Sequence, residues 1–279
     1  MTIQEALRYG RSQLRHTSPS PDLDARLLLQ HLLGQPHTYL IAYGERPLTP
    51  SQIQQYQSLL KRAQQSEPIP YMIGEAPFYG FTFRVTPDVL IPRPETEQLV
   101  EMVLAWATPR GAMQIVDVGT GSGCIAVSLA HHLPQASVTA VDLSPAALAI
   151  AQENARRLTD QSITFLEGSL LSPLAHKVDL IVANLPYITD GEWTMLDDGV
   201  KLHEPALALR GGADGLMSIH ALLQQAGAKL NPGGAIFLEI GWRQGTAVTQ
   251  LASTLFPTAT VTLTTDFAGH DRIVIIQTG

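Results

Sequence analysis

The amino-acid sequence predicts an α/β fold in which a mostly parallel sheet, covered by helices on both faces, follows a small helical domain. Three observations carry this. The first ~75 residues show helical periodicity alone. From Glu95 onward, short apolar runs alternate with helical stretches, the pattern of strand–helix–strand units and a parallel sheet. The stretch ATVTLTTDFAGHDRIVIIQ then reads as two strands around a turn containing Gly269, an antiparallel edge pair.

In the N-terminal part, SPDLDARLLLQHLLG offers Ser20 as an N-cap, Pro21 at the first helical position and Gly34 as a stop. TPSQIQQYQSLLKRAQQ opens with Thr49, Pro50 and Gln52, a capping-box pattern. Its apolar positions Ile53, Tyr56, Leu59, Leu60 and Ala63 fall on one face. FYGFTFRVTPDVLIPRPE breaks the helical pattern. Phe78, Tyr79, Phe81, Phe83 and Val85, followed by Thr86-Pro87-Asp88, predict a β-hairpin linking two domains. ETEQLVEMVLAWA is the next helix, and MQIVDV, SVTAVD, ITFLEG, DLIVAN and AIFLEI are the strand candidates. The expected division is a helical domain at 1–75, a hairpin linker at 76–94 and an α/β domain at 95–279. No repeat or low-complexity segment interrupts it.

Composition narrows the function. Hydrophobic residues make up 45% and charged residues 15%, an ordinary globular balance. No apolar run approaches the ~18 residues that span a bilayer. The start, MTIQEALRYGRSQLRH, lacks the apolar core of a signal peptide, so a cytoplasmic location away from membranes is expected. The single cysteine, Cys124, excludes an internal disulfide and a cysteine metal cluster, so no metal is expected and a reducing compartment fits. The net charge of -7 is uneven: residues 1–85 carry 8 Lys+Arg against 6 Asp+Glu, and the remainder 10 against 19. An acidic body grips a phosphate backbone poorly, because that affinity comes from counterions displaced by Lys and Arg. Stable nucleic-acid binding is therefore not expected.

IVDVGTGSGCIAVSLA places Gly119, Gly121 and Gly123 between a strand and a helix, where glycine lets a ligand touch the backbone near free N–H groups. No Gly-Lys-Ser/Thr follows, which excludes a phosphate-binding P-loop. Gly121, Gly123 and Ala126 match Gly-x-Gly-x-x-Ala, and Asp142 lies 19 residues beyond Gly123, as in the dinucleotide fingerprint. The same geometry, with an acid before the loop (here Asp117), also suits S-adenosylmethionine. Asp142 ends the strand SVTAVD, where a carboxylate can accept both ribose hydroxyls at roughly 1.5–3 kcal/mol each. Ser144 is already a good helix cap, which leaves Asp142 for that role. The glycine loop, Asp142 and Asn184 follow the first, second and fourth strands. In an open parallel sheet those ends share one edge, where ligands bind.

The strand KVDLIV runs into ANLPYI. Pro186 biases Leu185 towards extended backbone. The Asn184 side-chain carbonyl and the Leu185 backbone carbonyl are two neighbouring acceptors, and Tyr187 adds a flat face. Together they suit an –NH2 group held through both hydrogens while a planar group stacks on the ring. The nitrogen of an amide or aromatic amine is a poor nucleophile because its lone pair is delocalised. Two acceptors can hold its hydrogens out of plane and aim the lone pair at an electrophilic methyl. Such chemistry needs placement more than a strong base, and placement can contribute roughly 7–11 kcal/mol.

NLPY resembles the Asn/Asp-Pro-Pro-Tyr/Phe signature of amino-group methyltransferases. With LIPRPETE, DVGTGSG, AVDLSP, EPALAL, GGADGL, EIGWRQG and AGHDRIV in this order, the chain resembles, over nearly its whole length, the protein-glutamine N5-methyltransferases of peptide chain release factors, the HemK or PrmC family. The resemblance implies a class I S-adenosylmethionine-dependent methyltransferase fold, Rossmann-like with about seven strands, that turns S-adenosyl-L-methionine into S-adenosyl-L-homocysteine. It implies class 1 peptide chain release factors as partners, their Gly-Gly-Gln loop entering the cleft and the N-terminal helices helping to dock them. Carried over by position, Gly119, Thr120, Gly121, Ser122 and Gly123 would line the methionine and ribose part of the cofactor, with Asp117 near its amino group. Asp142 would hold the ribose, and Ser169 and Leu170 would lie near the adenine. Asn184, Leu185, Pro186 and Tyr187 would bind the glutamine amide, with Asn184 also bordering the cofactor. Leu185 departs from the family's usual proline: the backbone carbonyl is kept, but Asn184 loses the stiffening of a following proline.

The same resemblance would set Arg93, Glu95 and Glu97 at the border of the cofactor pocket. A helix start with Pro94 at its first position and acids complementing the dipole explains them equally well. His131 and His132 lack partners at ligand spacing. Cys124 reads as a small buried filler, and Trp106, Trp193 and Trp242 as packing residues. An adenine-N6 methyltransferase would share the Asn-x-Pro-Tyr grip but should carry a basic recognition domain. A ribosomal-protein glutamine is an alternative target. An NAD-dependent oxidoreductase would lack its Tyr-x-x-x-Lys pair here and leave ANLPYI unexplained. A non-catalytic binding module would have no need of Asn184.

Overall fold

Five helices open the chain in the computed structural model, which describes residues 1–279: α1 (Ile3–Leu14), α2 (Pro21–Leu33), α3 (His37–Ala42), α4 (Pro50–Gln64) and α5 (Ile69–Ile73). Thr49 closes the predicted capping box, its Oγ1 accepting from the Gln52 N–H at 3.2 Å while Gln52 Oε1 accepts from the Thr49 N–H at 2.9 Å. Ser20 precedes α2, with Pro21 at the first position, but its side chain makes no cap bond. Gly34 ends α2 in the left-handed conformation. Leu28, Leu29, Tyr56 and Leu60 form the buried centre of this unit, where the Tyr56 hydroxyl donates to the Ala25 carbonyl at 2.9 Å. The unit comprises residues 1–75 and, from far along the chain, 197–203.

Residues 76–196 and 204–279 form the second unit. It includes most of a hairpin, β1 (Glu75–Phe78) and β2 (Phe81–Arg84). The hairpin turns at Tyr79-Gly80, both at positive φ, the geometry that matches strand twist. Thr86-Pro87-Asp88 makes a separate turn, with the Val89 N–H returning to the Thr86 carbonyl at 3.0 Å. The segment expected as a linker is thus part of the second unit: Phe78 and Phe83 are buried in its core. The buried Asn154 side chain also holds both the N–H and the carbonyl of Arg84, at 2.7 and 2.9 Å.

The chain continues as α6 (Pro94–Ala107), β3 (Gln114–Val118), α7 (Cys124–His132), β4 (Ser137–Asp142), α8 (Pro145–Leu158), β5 (Ile163–Glu167) and β6 (Val178–Asn184). After these come β7 (Ile188–Thr189), α9 (Asp190–Met195), α10 (Asp198–His203), β8 (Arg210–Gly212), α11 (Met217–Lys229), β9 (Leu230–Glu239), α12 (Gly245–Leu255), β10 (Thr260–Thr265) and β11 (Asp271–Gln277). Seven strands form one sheet in the order β10-β11-β9-β6-β3-β4-β5. The five from β9 to β5 are parallel, while β11 runs antiparallel to β9 and β10 antiparallel to β11. Only β10 of the tail pair lies at the edge, because β11 is enclosed between β10 and β9. Leu99, Val103, Leu129 and Phe237 fill one core, and Leu222, Val248, Leu238 and Ile276 fill a second. The central strands β3 and β6 and the AIFLE part of β9 are mostly apolar and buried, as strands covered on both faces must be, while β5 at the edge is only partly buried.

From β3 the chain steps one way to β4 and β5, then returns to β6 on the other side of β3. The C-terminal ends of β3 and β6 thus mark the switch point where parallel sheets open a crevice.

Candidate functional site

At that switch point lies a cavity of about 360 Å³, within the ~300–1,000 Å³ of ordinary small-ligand sites. Its walls bring together Gly119 and Gly121 of the glycine loop, Asp142, Ser169 and Leu170 after β5, and Asn184, Leu185 and Pro186. All belong to the second unit.

Two contacts show why glycine is needed in the loop. A Cβ on Gly119, whose φ is 74°, would lie 3.1 Å from Leu185 Cδ2, and one on Gly123, φ 81°, 3.0 Å from Ala151 Cβ. The backbone therefore passes close to both the cavity wall and α8. The Gly119 and Thr120 N–H groups donate to the Val141 carbonyl at 2.8 and 3.0 Å. The Asn154 side chain, besides holding Arg84, donates to the Ser122 carbonyl at 2.9 Å.

Of the predicted loop residues, Thr120, Ser122 and Gly123 are buried and do not line the cavity. Asp117 also lies beneath the loop rather than in the wall. Its Oδ2 accepts from the Thr120 hydroxyl at 2.6 Å and the Ala126 N–H at 3.1 Å, while Oδ1 is buried without a partner. Burial pushes its carboxyl up to about 7.

Asp142 does not cap α8; Ser144 does, accepting from the Ala147 N–H at 3.2 Å. The Asp142 oxygens accept from the Ser144 N–H and the Gly121 N–H, each at 2.9 Å. Each oxygen keeps a further lone pair. Leu170 stands at φ 54°, a left-handed conformation rare for a branched side chain. Such outliers concentrate at ligand sites.

Asn184 ends β6 and faces Glu239, the last residue of β9, in register. Its Nδ2 donates to Thr96 Oγ1 at 3.0 Å, and that hydroxyl donates to Glu239 Oε2 at 2.7 Å. Thr96 and Glu239 are both buried, and burial pushes the Glu239 carboxyl up to about 7. Leu185 is buried against the glycine loop. Tyr187 does not line the cavity. Its carbonyl accepts from Gln244 Nε2 at 3.0 Å, a nitrogen that also donates to the Gly215 carbonyl at 3.2 Å. Gly215 stands at φ 75°, and a Cβ there would lie 2.3 Å from the Tyr187 carbonyl oxygen. Pro186 is therefore flanked by a packed Leu185 side chain and a held Tyr187 carbonyl.

Thr96, Glu239, Gln244 and Gly215 were not singled out by sequence reasoning, although PRPETE, EIGWRQG and GGADGL contain them. One signal was present: Glu239 ends an apolar strand, AIFLE, as Asp142 ends SVTAVD. Arg93 pairs with the buried Glu204, Glu97 accepts from the Tyr79 N–H at 2.9 Å, and neither these nor Glu95 lines the cavity. Arg93 and Glu97 thus tie the first turn of α6 to Glu204 and to the β1–β2 hairpin. Cys124 is buried, its thiol pushed up to about 12 by burial. Trp106 packs against Phe237, but Trp242 is 48% exposed, beside His270 and Arg243. Trp193 lies under the Arg210 guanidinium, 5.5 Å away.

Known proteins share this organisation. Residues 5–74 match the PrmC N-terminal domain, and residues 96–202 the methyltransferase small domain. The release factor glutamine methyltransferase of Moorella thermoacetica is 42% identical over 275 residues, 98% of this chain and 97% of that one. That of Yersinia pestis is 38% identical over 277 residues, 99% of each chain. A methyltransferase crystal structure from Pyrococcus furiosus superposes with a TM-score of 0.55 at 17% identity, covering 72% of this chain and 91% of that one, a likeness of fold.

Proposed function

The chain belongs to the release factor glutamine methyltransferase family, and from this premise we propose that it transfers a methyl group from S-adenosylmethionine to the side-chain amide nitrogen of the glutamine in the Gly-Gly-Gln motif of class 1 peptide chain release factors. One observation supports this most. Asn184, with its amide nitrogen engaged by Thr96, borders the same cavity as Gly119, Gly121 and Asp142.

The residues present suit the cofactor. Asp142 has lone pairs left for ribose hydroxyls, and the side-chain-free wall at Gly119 and Gly121 admits close approach. The unpartnered Asp117 Oδ1, next to the cavity-lining Val118, suits the positive field of an amino group. Ser169 and Leu170 are assigned to the adenine. When bound, S-adenosylmethionine supplies an electrophilic methyl group.

The protein's part is placement. Asn184 Oδ1 and the Leu185 carbonyl each accept one hydrogen of the glutamine –NH2, Pro186 borders it, and Tyr187 is assigned to the glutamine side chain outside the cofactor cavity. Held so, the nitrogen would direct its lone pair out of the amide plane. Methyl transfer from the bound cofactor would leave S-adenosylhomocysteine, the sulfur keeping the electron pair of the broken S–CH3 bond and the surplus proton on nitrogen passing to water. Fixed acceptors of this kind can supply roughly 7–11 kcal/mol of the barrier through orientation. The helical unit, with Ile41 and Tyr43 exposed, is assigned to release-factor docking. No helix is long and apolar enough to cross a membrane, and a cytoplasmic site of action is part of the same proposal.

The test is to incubate the purified protein with labelled S-adenosylmethionine and a class 1 release factor. Peptide mass spectrometry is expected to find one methyl on the Gly-Gly-Gln glutamine. Label found only on nucleic acid or a ribosomal protein overturns the reading.

A further inference from the structure

Asn184 has a donor end and an acceptor end, and only the acceptor serves a substrate –NH2. Its two planar orientations have nearly the same shape, so packing alone selects between them poorly. The hydrogen bonds behind it select sharply. Thr96, on the first turn of α6, has one hydroxyl hydrogen, which it gives to Glu239 Oε2 at 2.7 Å. A hydroxyl so committed offers only lone pairs to its other neighbour. Asn184 must therefore turn its NH2 end to Thr96, as found at 3.0 Å. Its oxygen makes no hydrogen bond within the protein, and the residue borders the cavity. Turned over, Asn184 would set its carbonyl against a hydroxyl with no hydrogen to give, and a donor against the substrate's donors.

The arrangement is built into the fold. Asn184 and Glu239 are register partners on adjacent parallel strands, and α6 lays Thr96 across their ends. Thr96 is 3% and Glu239 1% exposed, so water does not compete for these bonds. We infer that Thr96 and Glu239 are positioning residues, a relay that fixes the amide orientation of Asn184 so that its oxygen meets the substrate nitrogen. The inference rests on the proposal that Asn184 holds the substrate amide.

The test compares Thr96→Val, Thr96→Ser, Asn184→Ala and the Thr96→Val/Asn184→Ala pair in the full-length enzyme, with a class 1 release factor and labelled S-adenosylmethionine. Valine matches threonine in shape but neither donates nor accepts. Thr96→Val is expected to slow single-turnover methyl transfer by about tenfold or more, with cofactor affinity within about twofold of wild type by calorimetry. Thr96→Ser restores the hydroxyl and should recover the rate to within a few-fold. Added to Asn184→Ala, Thr96→Val should cost nothing further, since no amide remains to orient. A wild-type rate for Thr96→Val beside a slow Asn184→Ala overturns the relay and leaves the role of Asn184 standing. Wild-type rates for both overturn the underlying reading. Losses that simply add show that Thr96 acts by another route and also overturn the relay. Should Thr96→Val fail to fold, Glu239→Leu joined to Thr96→Ala supplies the same comparison, and the same three outcomes decide it.

Discussion

The Gly121 N–H donates to Asp142 Oδ2 at 2.9 Å, so the carboxylate at the end of β4 also ties down the glycine loop. A ligand that uses Asp142 thus meets a loop already fixed by it. Asp142→Ala is expected to weaken S-adenosylmethionine binding by roughly 2–4 kcal/mol, on the order of thirty- to a thousand-fold. Asp142→Asn keeps a carbonyl for Gly121 but loses the charge, and should fall between. Calorimetry showing wild-type affinity in both variants would leave Asp142 as a loop brace only.

Leu185 offers a second measurement. Proline there would confine Asn184 to extended backbone and keep the Leu185 carbonyl acceptor. It would also remove Leu185 Cδ2 from beside Gly119, where the side chain is buried. Leu185→Pro is therefore expected to hold or raise the methyl-transfer rate while lowering stability by about 1–3 kcal/mol. Rate assays and thermal melts separate the two effects. A collapsed rate in a folded variant would show that the backbone here needs freedom that proline removes.

The contribution of two buried carboxyls to stability should fall as pH rises towards neutrality. Burial raises Asp117 and Glu239 to about 7. Between pH ~4 and ~7 the native state keeps protons that the unfolded chain has released, so linkage makes this contribution to stability decline across that window. Glu67, lowered by its bond to Arg62, has the opposite sign: its contribution is lost as pH falls below the ordinary carboxylate range. Glu239→Gln is expected to flatten the contribution of this site, so that between pH ~4 and ~7 the thermal midpoint of the ligand-free variant declines less, or climbs more, than that of the wild type. Parallel midpoint curves for the variant and the wild type would mean that Glu239 does not keep its proton across that window.

The glycine loop, Asp142 and Asn184 are legible in the sequence because each follows an apolar run, and a parallel sheet sets such ends on one edge. The hairpin position is not. Phe78 and Phe83 alternate as in any strand, but only tertiary packing shows them in the core of the second unit. Loop direction is hidden for the same reason: the motif names Thr120 and Ser122, and only the fold turns them inward. Thr96 lies 88 residues from Asn184 and 143 from Glu239. No local periodicity links positions so far apart, so their shared hydroxyl emerges only when α6 packs across β6 and β9.

Asn184 carries the sharpest prediction. Asn184→Ala removes the acceptor but leaves the glycine loop and Asp142 intact, so cofactor affinity should change little while transfer slows by at least ~100-fold. Asn184→Asp is more informative. An ionised carboxylate has no hydrogen for Thr96 Oγ1, whose own hydrogen goes to Glu239. A protonated one donates to Thr96 as the amide did and keeps its carbonyl for the substrate. Glu239 keeps its proton to about 7, and two carboxyls this close do not both ionise there, so the pair retains a shared proton at pH ~6. Asn184→Asp should therefore outperform Asn184→Ala at pH ~6 and lose that advantage towards pH ~9, as the new acid ionises. Single-turnover rates across that range, with release-factor binding measured separately, isolate the chemical step. A near wild-type rate for Asn184→Ala would reduce Asn184 to a turn residue and remove the mechanism.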